Sequence, residues 1–264
     1  VTGIFSLLTQ RRGEAGPLAA MARLISWLLV FLAVGGVFTF AFSQLQYGWN
    51  WGAIADYRQK LFIGWMTTVA ISCVSLCTSL IIGLAAALAR RCPFLPVRYT
   101  GTLYVELIRG TPLLVQILIF FYVVADAFGI DNRYPVGVLT LSLFAGAYIS
   151  EIIRAGIESV GESQLESARS IGLTRGQIYR FVIFPQVARQ LIPPLAGQFA
   201  SIIKDSSLLS IIAVSEFTLN AQEVNAYTYS TLESYIPLAV GYLLLTLPIS
   251  LAGRVLERKY RYAH

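Results

Sequence analysis

Charge is scarce in this chain. Asp, Glu, Lys and Arg make up 13% of its 264 residues, against roughly 25% in an ordinary soluble domain. Hydrophobic residues reach 56%. So few charges cannot wet the surface of a globule of this size. A disordered, collagen-like or typical cytosolic protein is excluded, and the solvent that fits is the bilayer. Histidine is almost absent: His264 is the only one. That excludes a buried Ser-His-Asp triad and a multi-histidine metal site. Lysine is limited to Lys60, Lys204 and Lys259. None follows a glycine, so there is no P-loop and the chain carries no ATPase of that kind. Cys73, Cys77 and Cys92 are too few for a disulfide framework; Cys73 and Cys77 share a helix face and read as small packing residues, and Cys92 falls in a short basic loop.

What is present is a series of apolar runs. A spanning helix needs about 20 mostly apolar residues. Six segments qualify: Leu24 to Phe42, Leu61 to Ala89, Tyr99 to Val124, Val136 to Ile153, Leu191 to Val214 and Tyr235 to Val255. The first does not read as a cleavable signal, because it is long and lacks a small-residue cleavage site. The fifth is the weakest, interrupted by Lys204 and Asp205. The fold class expected is an all-α integral membrane protein with six transmembrane helices.

Sorting the basic residues tests that count. One side receives Arg11, Arg12 and Arg23, then Arg90, Arg91 and Arg98, then Arg154, Arg169, Arg175, Arg180 and Arg189, and finally Arg254, Arg258, Lys259 and Arg261. The other side receives only Arg58, Lys60 and Arg133. Such asymmetry is what the positive-inside rule demands, so both termini are expected in the cytoplasm. It also accounts for the net charge of +6 without nucleic-acid binding. The outer side collects Asp56, Asp126, Asp131, Glu216, Glu223 and Glu233, with Trp49, Trp51, Tyr227, Tyr229 and Tyr235. These form either an interfacial aromatic belt or a docking surface for an extracytoplasmic partner. In the second segment Ser75, Ser79, Gly83 and Ala87 recur every four residues, a stripe that lets helix backbones approach closely.

The connection from Arg154 to Gln190 is too long for a simple turn. Ser163 and Glu166 have the spacing of a capping box, and Gly172 suits a left-handed helix end. Thr174 and Gln177 make a second capping box, opening a helix expected to end before Pro185. Two short helices around a glycine make a cytoplasmic knob whose apolar residues are Leu165, Ala168, Ile171, Leu173, Ile178, Phe181 and Val182.

The stretch Glu166-Ser167-Ala168, Gly172, Val182 and Phe184-Pro185 resembles the EAA loop of ABC-importer permeases, departing mildly at Ser167, Val182 and Phe184. Glu106 to Gln116, Ala147 to Gly156 and Lys204 to Leu208 resemble the polar amino-acid permeases of the histidine, glutamine and arginine group. The resemblance covers about residues 61–255 and implies a type I five-helix importer core, with an extra helix before it. Residues 1–60 then hold the N-terminal segment, first helix and outer loop, and 256–264 a cytoplasmic tail. It implies that Ser163, Glu166, Ser167, Ala168, Gly172 and Thr174 belong to a coupling helix seated on an ATPase subunit. Implied partners are two cytoplasmic ABC ATPases, a second permease chain, an extracytoplasmic binding protein and a polar amino acid. No cofactor belongs to this chain; ATP and Mg belong to the ATPases. The location implied is the bacterial inner membrane.

Ionisable groups at bilayer depth are costly and therefore functional or paired. Here they are Glu106, Arg109, Glu151, Lys204 and Asp205. Counted along a straight helix, Arg109 falls about 15 Å deep. Glu106 and Arg109 are spaced for an ion pair. Gly110-Thr111-Pro112 reads as a helix break with Thr111 as N-cap, which points free amides into a cavity, with Gln116 one turn on. Lys204 and Asp205 mark a second unwound spot or an inter-helix salt bridge. Together these residues supply both signs of charge for a zwitterion. The alternative is an ion-coupled secondary transporter or channel. Against it stand the absence of an inverted repeat and the capped knob.

Overall fold

A computed structural model describes residues 17–44 and 47–261, and every regular element among them is helical. The chain divides into two units, Val1–Trp49 and Asn50–His264. The first contains one described helix, α1 (Pro17–Ser43), apolar on all sides as a lipid-facing helix is. Its polar Ser26 and Thr39 donate back to the carbonyls of Ala22 and Gly35, which satisfies hydroxyls that lipid cannot.

The second unit runs α2 (Trp51–Asp56), α3 (Arg58–Ala89), α4 (Leu95–Gly110), α5 (Leu113–Ile119), α6 (Arg133–Glu158), α7 (Glu162–Ser170), α8 (Arg175–Ile178), α9 (Phe184–Asp205), α10 (Phe217–Thr228) and α11 (Thr231–Arg261). All six apolar segments carry helices. Of the described helices, α1, α3, α6 and α11 are each long and apolar enough to cross a membrane. The third segment is not one straight helix. It breaks between α4 and α5, which meet at 111° and continue through a π-helical stretch to Ala125. Helix α9 is not among the apolar spans, since Arg189 and its glutamines and prolines dilute the run even before Lys204 and Asp205.

Helices α3 and α6 make the most extensive pairing. The small-residue stripe is the reason. Ser75, Ser79, Gly83 and Ala87 are all buried. A Cβ on Gly83 would sit 2.6 Å from Ile149 Cγ2 and 2.9 Å from the Gly146 carbonyl, so only glycine permits this approach. Thr78 and Ser142 hydroxyls meet at 2.5 Å across the same seam. Above it, Ile71, Leu113, Ile117, Leu141, Leu209 and Ile212 close the core.

The acidic face expected on the outer side differs at two residues. Glu216 and Glu233 are fully buried and take no part in an exposed acidic face. Glu216 is the N-cap of α10: its carboxylate accepts from the amides of Thr218 at 2.9 Å and Leu219 at 2.8 Å. It also accepts from the hydroxyls of Thr68 and Tyr242, tying α3, α10 and α11 together. Glu233 accepts from the amide of Asn50. Helix-end amides attract carboxylates strongly enough to bury them, and a list of surface acids cannot register that.

Candidate functional site

Glu151 is the hub of the charged residues. It lies seven residues before the end of α6, about 10 Å from it. Arg154, one turn on, donates through Nη2 at 2.8 Å and Nε at 3.1 Å. Arg90, the C-cap just after α3, donates to the other carboxylate oxygen. Arg109 of α4 stands 3.5 Å away and lies over the Tyr148 ring at 5.5 Å. One carboxylate thus gathers guanidinium groups from three helices. Arg109 does not pair with Glu106, which is exposed and has no salt bridge among the described residues. The straight helix assumed for Arg109's depth also does not exist, because the chain turns immediately after Gly110.

The break follows from local chemistry. A residue before proline is pushed out of the α region, and Thr111 is extended at φ −122, ψ 147. Pro112, also extended, is the N-cap of α5, so Thr111 does not fill that role. Thr111 instead donates its hydroxyl back to Leu107. Gln116, expected to face a cavity, is buried and turned back into the bend. Its Nε2 reaches the carbonyl of Ile108 at 2.7 Å, the carbonyl of Thr111 at 3.1 Å and the Thr111 hydroxyl at 2.8 Å. It supplies acceptors orphaned at the end of α4 with a donor.

Lys204 and Asp205 close α9, and the chain tightens into a 3-10 helix, Ser206–Ile212, at that point. The change in winding therefore falls where the charges interrupt the apolar run. Among the described residues neither forms a salt bridge. No described hydrogen bond or ion pair joins Glu106, Lys204 or Asp205 to the Glu151 cluster.

The long loop folds into two capped helices. Helix α7 begins after Gly161, and Ser163 already lies inside its first turn, so the Ser163–Glu166 capping box is not formed. The preceding glycine is itself a tolerated N-cap. At the other end Gly172 adopts φ +80. The amide of Leu173 reaches the carbonyl of Ala168 at 3.1 Å and that of Gly172 reaches Arg169 at 2.9 Å, a Schellman closure. Thr174 and Gln177 form a complete reciprocal capping box. The helix so opened does not stop before Pro185. It passes through a π-helical stretch, Tyr179–Ile183, into α9. Proline lacks an amide, and the shift in hydrogen-bond register just before it accommodates that loss. Ala168 packs with Ile178, Ile183 and Val187, whereas Ser163, Glu166, Ser167 and Thr174 are exposed. Of the knob's apolar residues, Ile171 and Phe181 turn outward, at 77% and 62% exposure.

These features define a polytopic membrane protein bearing a stiff helical knob outside the apolar bundle. Residues 79–262 match the family described as the inner membrane component of binding-protein-dependent transport systems. The chain belongs to that family: it is the permease component of an ABC importer and not its ATPase. It is 36% identical over 210 residues to the probable glutamine ABC transporter permease protein GlnM of Bacillus subtilis (strain 168), covering 80% of this chain and 97% of that one. It is 42% identical over 194 residues to the L-cystine transport system permease protein TcyB of the same organism, covering 73% and 82%. A crystal structure of an amino acid ABC transporter with histidines superposes at a TM-score of 0.76 with 32% identity, covering 81% of this chain and all of the other.

Proposed function

We propose that this permease carries polar amino acids inward by alternating access, driven by ATP. The substrate class rests on relatives whose names give glutamine and L-cystine. One chain supplies one knob, so the working assembly pairs two permeases, identical or related, with two ATPase subunits that bind ATP and Mg. An extracytoplasmic binding protein delivers the amino acid. Residues 61–255 act as the transmembrane domain. The basic bias puts both termini and the knob in the cytoplasm.

The observation that carries the coupling role is the doubly capped knob. Gly172 closes α7, Thr174 opens α8, and α8 is continuous with α9. A push on the exposed Glu166–Ser167 face is therefore transmitted into the membrane as rigid-body motion. Exposed Ile171 and Phe181 give the ATPase an apolar grip. Glu106, Arg109, Thr111, Gln116, Glu151, Lys204 and Asp205 form or support the substrate pathway. Together they supply both signs of charge that a zwitterion needs, with Glu106, Lys204 and Asp205 outside the Glu151 cluster, while Thr111 and Gln116 hold the bend between α4 and α5.

Uptake in proteoliposomes decides between motors. The assembled complex is expected to accumulate a labelled polar amino acid only with ATP inside and binding protein outside. Uptake driven by an ion gradient without ATP would contradict the proposal.

A further inference from the structure

Beyond transport itself, we infer that the arginine-lined cavity at the end of α3 binds the phosphate group of an anionic lipid. The cavity has a volume of about 270 Å³ and is lined by Ala87, Arg90, Arg91, Thr102, Arg154 and Glu158. Arg90 and Arg91 follow the last residue of α3, and Arg154 lies four residues before the end of α6. Both helices are spans, so the three guanidiniums sit where a leaflet presents its headgroups.

Charge balance points to an anion. Glu151 is already shared by Arg90, Arg109 and Arg154. Glu158 is taken by Arg154 at 2.5 Å, leaving Arg91 at 4.0 Å from it. Four arginines thus face two carboxylates, a surplus of two positive charges beside a low-dielectric medium. A phosphodiester neutralises such a surplus with several charge-assisted hydrogen bonds. Guanidinium matches that geometry better than ammonium. The exposed Leu88 and Leu103 adjoin the lining residues Ala87 and Thr102 in sequence and offer apolar surface for acyl chains. The source assigned is therefore a lipid and not free phosphate.

The test uses the complete complex in detergent, titrated with phosphatidylglycerol or phosphatidylcholine of identical chains and read by native mass spectrometry. Phosphatidylglycerol is expected to bind in preference. Arg91→Gln should weaken it about fivefold, Glu158→Gln should strengthen it, and Arg58→Gln, a charge outside the cavity, should leave it unchanged. Thermal unfolding confirms that each variant is folded. Equal binding of the two lipids, or equal losses in Arg91→Gln and Arg58→Gln, would overturn the assignment. A parallel arm adds millimolar inorganic phosphate alone. Stabilisation by phosphate that is lost in Arg91→Gln, with no preference for phosphatidylglycerol, would overturn the lipid source in favour of a soluble anion. None of these outcomes depends on which solute is transported.

Discussion

Arg109 on α4 faces Glu151 on α6 at 3.5 Å, across the helix boundary and away from Glu106 on its own helix. That contact, with Arg90 and Arg154 on the same carboxylate, joins α3, α4 and α6. A shared carboxylate of this kind resists sliding between helices while its partners hold, and releases them together.

Removing the hub should therefore cost more than removing one spoke. Glu151→Gln removes the negative charge shared by three guanidiniums and puts an amide NH2 in place of one acceptor oxygen, and it is expected to lower stability in detergent by about 2 kcal/mol. Arg109→Ala leaves the Arg90 and Arg154 bonds in place, so the complex should assemble while uptake falls. Thermal unfolding and transport, measured in parallel, check this. Unchanged uptake in Arg109→Ala would assign Arg109 a purely structural place.

Gln116 acts at the bend. Gln116→Leu keeps the side chain's size but removes the donor to Ile108 and Thr111, leaving buried acceptors unpaired. A loss of about 1–3 kcal/mol is expected. Gln116→Glu should also destabilise, because a carboxylate cannot donate to those carbonyls. Equal stability of Gln116→Leu and wild type would mean that proline alone sets the bend.

Gly172 has no side chain to strain at φ +80. A β-branched residue there meets a left-handed conformation costing roughly 1–2 kcal/mol. Gly172→Val should therefore loosen the end of α7 and sharply reduce substrate-stimulated ATP hydrolysis by the complex. Membrane insertion should persist, because the knob lies outside the apolar spans. Hydrolysis at the wild-type rate in Gly172→Val would remove the knob from the coupling path.

Much of this architecture was legible in the chain. The apolar runs mark the helices, and the four-residue stripe on α3 marks the surface that meets α6. Gly172 and Thr174 announce their caps, because a left-handed turn and a reciprocal box have strict local chemistry. The errors share a cause. Ser163 fits a cap, yet Gly161 already caps the helix two residues earlier. Pro185 reads as a stop, but a π-helical register shift carries the chain past it. Glu106 has the spacing for Arg109, yet that spacing cannot weigh a neighbour on another helix. Gln116 as a clamp on its own bend was missed, since nothing local says which way a long polar side chain turns. Ser206 and Ser207, directly after Asp205, lie where α-helical winding is lost, as the charged interruption of the apolar run suggested.

The proposed coupling requires the Glu162–Ile178 knob to lie in the cytoplasm, where a motor can hold it. Replacing Cys73, Cys77 and Cys92 by serine and then introducing Ser163→Cys gives a single labelling site. In sealed cells a membrane-impermeant thiol reagent should fail to label it until the inner membrane is opened, and bound ATPase should then protect it. Labelling of Ser163→Cys from outside in intact, sealed cells would contradict the topology and the coupling mechanism with it.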